Sequence, residues 1–393
     1  MKKRILIFCE SDPNKEPRLI RTIEALQNNY NLTVGSYVQC KNCDFIDLRE
    51  FIEKKQQIKF HLKYPTIIRK PISLLLNIFY YRTRSKTDFG LLNPFFNNIK
   101  AKNEISKKEF DVIICHGLGF LELSAMLKKK PVKLILNAHE YYPSEFEDKP
   151  EWKETGEKYI KILNSCAPKI DLIFAVNETI GLRYKKEFKI DFVEITNATD
   201  YEVSLKPVEV KNPIKIVHHG VALKNRKIEL MIEAVLKTKT PCELHLILVP
   251  TEKDYYQDLI EKYKDKKEIS FEKPVEVKQI AQTINKFDVG LFYLQPVNYN
   301  WLHALPNKLF EFVQARLAVV VSPNPDMKNL VEKYDLGWVV NDFTSEALVK
   351  TLDEISPEKI KNFKLNADKY AKELSSMKAK EAMLNAINQL CAA

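Results

Sequence analysis

Trp301-Leu-His303-Ala-Leu-Pro306-Asn307-Lys308-Leu-Phe-Glu311-Phe-Val-Gln-Ala315, followed by the apolar run Ala318-Val-Val-Val321, decides how this chain is read. Pro306 stands where a helix begins, and proline is favoured in a first turn because its missing N–H would have no partner there. The apolar residues after it recur at helical spacing, and four β-branched or small apolar residues then form a buried strand. A helix start carries unpaired backbone N–H groups, so the segment around Asn307 and Lys308 is an anion site with a full positive charge added by Lys308. Glu311 lies one turn further on the same side, where its carboxylate can accept two hydroxyl hydrogens. The alternative is a surface helix with an i, i+3 Lys–Glu pair.

Outward from this stretch, short apolar runs alternate with amphipathic windows, the pattern of parallel α/β sheets. In the first half the strands are expected at Arg4–Phe8, Leu32–Tyr37, Asp111–Cys115, Leu134–Asn137, Leu172–Ala175 and Phe192–Ile195. In the second half they are expected at Ile214–His219, Glu243–Leu248, Val289–Leu294, Ala318–Val321 and Gly337–Val340. From Ser345 onward the chain reads as helical. A polar stretch from Asn197 to Pro213 separates the halves. The expected organisation is an N-terminal Rossmann-like domain over 1–205, a second over 206–375, and a C-terminal helix over 376–393 that packs back toward the first. A length of 393 residues suits two domains.

Two further stretches place polar groups at strand ends, where open α/β sheets bind ligands. His218-His219-Gly220-Val221 closes one strand and leads through a loop to Arg226 and Lys227. Gly220 permits close backbone approach, and the two cations suit a diphosphate. Leu134-Ile-Leu-Asn-Ala-His139-Glu140 puts a His–Glu pair after another buried strand. A lone histidine is more often structural than catalytic, but three such sites in both halves carry more weight.

Composition excludes several classes. There are 62 Lys+Arg against 52 Asp+Glu, a net charge of +10. Residues 53–108 hold 13 basic and 3 acidic residues, so this one segment carries the whole excess and the remainder is neutral. Only 9 residues are glycine. Gly117-Leu-Gly119 is followed by Glu122, so no G-x-G-x-x-G is present, and neither is a P-loop. No D-x-D, H-E-x-x-H or G-x-S-x-G occurs. The apolar run Ile5–Cys9 is too short for a signal peptide, and Ile72–Tyr81 is about half a membrane span. Seven scattered cysteines suit a reducing compartment, and Cys40-Lys-Asn-Cys43 lacks a second pair to complete a zinc site.

Together these stretches resemble the GT-B glycosyltransferases, specifically the retaining family 4 or "group 1" type. Pro306-Asn-Lys-Leu-Phe-Glu311-Phe-Val-Gln-Ala315 is similar to that family's P-x-K-x-x-E-[YF]-x-x-A segment. Its Glu, here Glu311, is implied to bind the donor ribose. The first Glu of the family's E-x7-E falls on His303, a departure that bears on the donor-sugar contact. His218 to Ala234 resembles the diphosphate site, with Arg226 at the usual Lys and Val221 at the usual Arg. Asn137-Ala-His139-Glu140 is similar to the "HE" motif whose His lies beside the donor sugar. Thr196-Asn197-Ala-Thr-Asp200 resembles the N-x-x-D closing the first domain. Glu16-Pro17-Arg18 resembles a D-P-R variant of the commoner Gly-rich loop and places Arg18 on the acceptor side.

The resemblance implies transfer of a sugar from a nucleoside-diphosphate sugar to a hydroxyl of a glycan or lipid-linked acceptor. It further implies retention of configuration without a metal or cofactor, with His139 contacting the sugar and Glu140 either orienting His139 or lining the pocket. Bacterial cell-surface polysaccharide synthesis is the expected setting. The alternatives are a GT-B sugar-nucleotide epimerase and a non-enzymatic RNA-binding or scaffold protein. No RNA-binding signature is present, and the charge sits in an apolar-rich window, so nucleic acid is not an expected partner.

That window interleaves its cations with Phe60, Tyr64, Ile67, Ile68, Leu74–Leu76, Phe79–Tyr81, Phe95 and Phe96, and Pro65, Pro71 and Pro94 break any long helix. This composition suits an anionic membrane surface, at about 1 kcal/mol per basic residue. The expected location is cytoplasmic, peripheral at the inner face of the cell membrane. The protein should co-float with liposomes containing anionic lipid at low salt and be released at high salt. An unshifted protein would remove the membrane reading.

Overall fold

A computed structural model describes residues 2–52 and 96–392. Two parallel sheets follow one another along the chain. The first contains β1 (Arg4–Phe8), β2 (Asn31–Ser36), β3 (Asp44–Asp47), β4 (Val112–His116), β5 (Lys133–Ala138), β6 (Leu172–Ala175) and β7 (Phe192–Glu194), in the order β3-β2-β1-β4-β5-β6-β7. The second contains β8 (Ile214–Val221), β9 (Cys242–Val249), β10 (Ile269–Glu272), β11 (Val289–Phe292), β12 (Ala318–Val321) and β13 (Gly337–Val339), in the order β10-β9-β8-β11-β12-β13. The chain order reverses at β1 in one sheet and at β8 in the other. These are the switch points outside which α/β folds seat ligands.

The inner strands are near-continuous apolar runs because helices cover both faces of a parallel sheet. Ile5 and Ile7 face one core of the first sheet, and Leu6 and Phe8 face the other. The second sheet is likewise packed on both faces. Every strand expected from the sequence is present to within two residues of its expected ends. β3 and β10 were not expected. Asp44-Phe-Ile-Asp47 and Ile269-Ser-Phe-Glu272 lie at sheet edges, are half-buried, and carry too few apolar residues to announce a strand.

The helix Ser376–Ala392 follows the second sheet in sequence but packs on the first. Met383, Ala386 and Ile387 join Ile5, Ile7, Leu19 and Val34 in one core. Tyr30 donates its hydroxyl to Asn388 Oδ1 at 2.7 Å. Two crossings therefore tie the halves together, and both are pinned. The Ser376 N–H donates to Thr199 O at 2.7 Å. Arg316 is fully buried, with Nη2 donating to Glu202 O at 2.7 Å and Nε to Asp368 at 2.7 Å. A buried guanidinium needs such partners, since its desolvation is otherwise uncompensated.

Most of the basic, apolar-rich segment lies outside the described residues, including Phe60, Tyr64, Ile67, Ile68, Leu74–Leu76, Phe79–Tyr81 and Phe95. Phe96 is described and is not a surface anchor. It is 2% exposed and packs against Phe120 at 5.3 Å and Phe51 at 6.2 Å between ring centres. Among the described residues no helix is long and apolar enough to cross a membrane. All seven cysteines are free, Cys40 and Cys43 included.

Ile387 is 0% exposed and belongs in sequence to the far end of the chain. Ile387→Ala should destabilise the first domain by about 2–4 kcal/mol through lost contacts and a residual cavity. Thermal and denaturant unfolding would measure it; an unchanged midpoint would contradict this packing.

Candidate active site

The C-terminal end of β8 and the start of the Asn307–Gln314 helix meet on one wall of a cleft between the two sheets. Gly220 is at φ +137°, and a Cβ there would lie 2.4 Å from Lys308 Cε and 2.7 Å from its Nζ. The sequence suggested that Gly220 leaves room for a ligand. In the structure it leaves room for the lysine itself, whose stem crosses the strand end. The Lys308 ammonium lies 5.4 Å from the Phe292 ring centre. Its pKa falls to about 8, first through burial and second through the nearby Arg226, with Glu311 opposing both.

Arg226 ends the short turn Lys224–Arg226 and lies 4.2 Å from the Trp301 ring centre. Burial lowers its pKa and Glu140 offsets that in part. Lys227 departs from the expectation. It takes a left-handed conformation at φ 48°, stays exposed, and gives its ammonium to Gln295 at 2.6 Å, away from the cavity. The left-handed turn separates Arg226 from the helix Ile228–Lys237, so the two cations point to different places.

Pro306 is the residue before the helix rather than its first turn, with φ −79° and ψ 155°. It offers no side chain to cap the N–H groups behind it. Asn307 begins the helix, and its Oδ1 is buried without a partner. Glu311 is 5% exposed and lies behind the cavity wall. Its Oε2 is 3.3 Å from His219 Nε2. Burial raises its pKa while Lys308 and Arg21, from the opposite domain, pull it down. His218 is structural: Nδ1 bonds Leu291 O at 2.9 Å, and burial takes its pKa to about 3.

The opposite wall comes from the first sheet. His139 and Glu140 follow β5, and Arg18 comes from the first turn of the helix Pro17–Leu26, held by Nε donating to Asn197 Oδ1 at 2.9 Å. Burial pushes the His139 pKa well down, helped by Arg18 and His116, so the ring is neutral near pH 7. Burial raises Glu140, opposed by Arg18 and Arg226. Glu140 lines the cavity, and no hydrogen bond joins it to His139. Its backbone O instead accepts from the Tyr184 hydroxyl at 3.0 Å.

One cavity of about 150 Å³ gathers Arg18, His139, Glu140, Arg226, Trp301, His303, Pro306 and Lys308. Gly220 and Asn307 support that wall from behind, as does Glu311. Sequence reasoning missed the groups that hold the walls together. Asn300 accepts from the Tyr141 N–H at 2.8 Å and donates to Tyr141 O at 3.1 Å. Asn298 donates to Glu145 O and to Asp148, each at 3.0 Å. The Arg183 guanidinium lies 3.8 Å from the Tyr141 ring and 3.9 Å from Tyr299. The asparagine-rich turn Asn298-Tyr-Asn300 signals a loop, but nothing in it names a partner some 150 residues away.

Residues 202–374 match the family model "Glycosyl transferases group 1". This segment, somewhat under half of the chain, is similar to the group 1 glycosyltransferases. No curated protein matches the chain in sequence. Among solved structures, sucrose-phosphate synthase from Thermosynechococcus elongatus is similar over 100% of both chains, with 14% identity and a TM-score of 0.69. Anabaena HepE in complex with UDP-glucose is similar over 98% of this chain and 100% of its own, at 14% identity and TM-score 0.66. An E. coli trehalose-6-phosphate structure bound with UDP-2-fluoro glucose covers 98% and 99%, at 13% identity and TM-score 0.64. The fold is GT-B: two Rossmann-like sheets facing a cleft, with a helical tail. The group 1 segment supplies Arg226, His303, Lys308 and Glu311, and the preceding half supplies Arg18, His139 and Glu140.

Gly220→Ala adds a methyl where the Lys308 stem lies, at a backbone angle that L-residues avoid. The variant should displace Lys308 and lower nucleotide affinity by about tenfold, a cost near 1.4 kcal/mol. Isothermal titration with UDP reads this directly; unchanged affinity would separate Gly220 from the seating of Lys308.

Proposed function

We propose that this protein transfers a sugar from a nucleoside-diphosphate sugar, with UDP-sugars the first donors to test, to a hydroxyl acceptor seated on the N-terminal domain. The observation that carries the reading is the convergence of Arg226 and Lys308 on one interdomain cavity, faced by His139, Glu140 and Arg18. Two neighbouring cations, one with its pKa lowered by the other, are a site waiting for a multivalent anion. HepE and the E. coli structure carry UDP-sugar ligands, which makes UDP the base of choice for the test.

In this reading the bond between the anomeric carbon and the diphosphate oxygen breaks, and the electron pair leaves with the diphosphate. Arg226, Lys308 and the free N–H groups at the Asn307 helix start stabilise that charge, in a partly dehydrated site where such contacts are strongest. The acceptor oxygen bonds the anomeric carbon and passes its proton to the departing diphosphate oxygen. His139, neutral and half-buried, hydrogen-bonds the sugar, and Glu140 lines its other side. Glu311 receives the ribose hydroxyls. Since it lies behind the wall, a modest movement of the helix start or of Arg21 accompanies donor entry. Lys227 has no role in donor binding. The resemblance to retaining enzymes supports retention of configuration with charge neutralised by side chains, so activity is expected to persist in EDTA.

Arg18 stands on the acceptor side. A glycan or lipid-linked acceptor, and a role in cell-surface polysaccharide synthesis at the membrane, remain part of this proposal through the composition of residues 53–108. The group 1 match and the GT-B fold favour transfer over the RNA-binding or scaffold alternative.

Lys308→Ala and Arg226→Ala should each reduce kcat/KM by about 10²-fold, as for removal of a single charge-stabilising donor. Glu311→Ala should act chiefly on donor KM. If Glu311→Ala and Arg226→Ala both left donor turnover intact, this site would be wrong.

Diphosphate binding favours the charged lysine, so the pKa of Lys308 rises from about 8 in the complex. UDP affinity should therefore be full below pH 8 and fall as pH rises through and above 8, with proton uptake on binding in that range. Lys308→Arg, whose charge persists, should flatten the profile. A wild-type affinity constant from pH 7 to 9.5 would contradict the role of Lys308.

A further inference from the structure

His303 stands at the cavity where the family resemblance places a glutamate, and the structure shows how it is held. Its Nδ1 lies 2.9 Å from Asp326 Oδ2, in the first turn of the helix Pro325–Tyr334. The other carboxylate oxygen, Oδ1, accepts the Thr179 hydroxyl at 2.8 Å. Thr179 belongs to the helix Glu178–Phe188 of the opposite domain. The residue capping that helix, Asn177, accepts from the Ile180 N–H through Oδ1 and donates through Nδ2 to the His303 backbone O at 2.8 Å. The imidazole also rests on Tyr299, 4.5 Å between ring centres. Both ring and backbone of His303 are thus fixed, one directly and one indirectly, by the N-terminal domain.

This arrangement decides which ring nitrogen carries hydrogen. A carboxylate only accepts, and both Asp326 oxygens are engaged as acceptors, so Nδ1 must be the protonated atom. In the neutral ring Nε2 is then a bare acceptor, and no described residue hydrogen-bonds it. We propose that Asp326, steadied by Thr179, is a positioning residue that locks His303 in the Nδ1–H form and so presents Nε2 as a hydrogen-bond acceptor for a hydroxyl of the transferred sugar. The acceptor role is chemically what a carboxylate would supply, but with a single directed lone pair and no negative charge on the accepting group itself. Its bracing spans both domains, because Thr179 and Asn177 come from one and Asp326 and His303 from the other.

The proposal rests on the cavity being a nucleotide-sugar site, and its test separates the two. Nitrogen-15 NMR of histidine-labelled protein without ligand at pH 7.5 reports the tautomer. Wild type should show His303 with Nδ1 protonated and Nε2 bare, and Asp326→Ala should lose that signature. Titration with UDP and with UDP-glucose then gives the sugar-dependent part of binding. Asp326→Ala and His303→Ala should bind UDP within about twofold of wild type but UDP-glucose about tenfold more weakly, one hydrogen bond's worth. The double variant should be no worse than His303→Ala, since both act through one contact. Thr179→Val keeps Asp326 in place and should lose several-fold in the same sense, a check that does not depend on the stability of Asp326→Ala.

Protonated Nε2 in the free wild-type protein would overturn the proposal, whatever the ligand. So would Asp326→Ala with unchanged affinity and kcat/KM for UDP-glucose. Wild-type protein that shows the stated tautomer yet binds neither UDP nor UDP-glucose would overturn the donor reading, and the sugar contact with it.

Discussion

Arg226 is held close enough to Lys308 to make that ammonium's charge costly, and much of this molecule follows from that crowding. Like charges at a partly dehydrated site are unfavourable unless something later repays them. Here the chain accommodates the pair in two ways. Gly220 gives up its side chain so that Lys308 can lie along the end of β8, and Arg226 spreads its guanidinium against Trp301. The nearest carboxylates, Glu311 and Glu140, moderate the charge without forming a contact ion pair with either. The site keeps its positive potential available because no described carboxylate forms a contact ion pair with Arg226 or Lys308.

A site divided between two domains requires that their separation be set elsewhere. Gln314 donates to Ala371 O at 2.7 Å and accepts from the Glu202 N–H at 3.1 Å, and the neighbouring Arg316 holds Glu202 O. Gln314 ends the helix Asn307–Gln314, and Arg316 lies between that helix and β12. The element that presents Lys308 to the cleft is thus the one that anchors the crossing segment. On the far side, the tail helix returns to the first sheet and inserts Ile387 among Ile5 and Ile7. The Asn300–Tyr141 pair adds a third tie between the two walls.

The strands and most helices were legible because burial on both faces imposes long apolar runs, and the one-dimensional pattern records burial well. It fails where burial is partial, as at β3 and β10. In the candidate site, cations next to a strand end were legible for the same reason: a polar residue interrupting an apolar run needs an explanation. Lys227 was misread because sequence adjacency to Arg226 says nothing about a left-handed residue that turns the next side chain away. Glu311 was placed on the same helix face as Lys308, but its burial, and the nearby charge of Arg21 nearly three hundred residues upstream, were not foreseen. Thr179, Asn177, Asp326 and Asn300 were invisible. Each is a polar residue near a helix end, where capping is the ordinary explanation, and Asn177 does cap its helix while its second polar atom reaches across to His303.

That double use of a capping residue bears on how specificity can be built with few glycines. A Gly-rich loop lets backbone N–H groups approach a diphosphate closely. Lacking one, this chain brings long side chains to its cavity, and these carry charge without fixed direction. Direction has to be supplied by partners: Asn197 for Arg18, Trp301 for Arg226, the Gly220 gap for Lys308, and Asp326 for His303. Of these four, only the gap at Gly220 and the ring of Trp301 lie wholly within the C-terminal half, beside the cations they orient. Asn197 precedes the crossing, and Asp326 leans on Thr179 in the other domain. The orientation of the charged groups is therefore coupled to domain approach, and a substrate that draws the walls together also sharpens the contacts that recognise it.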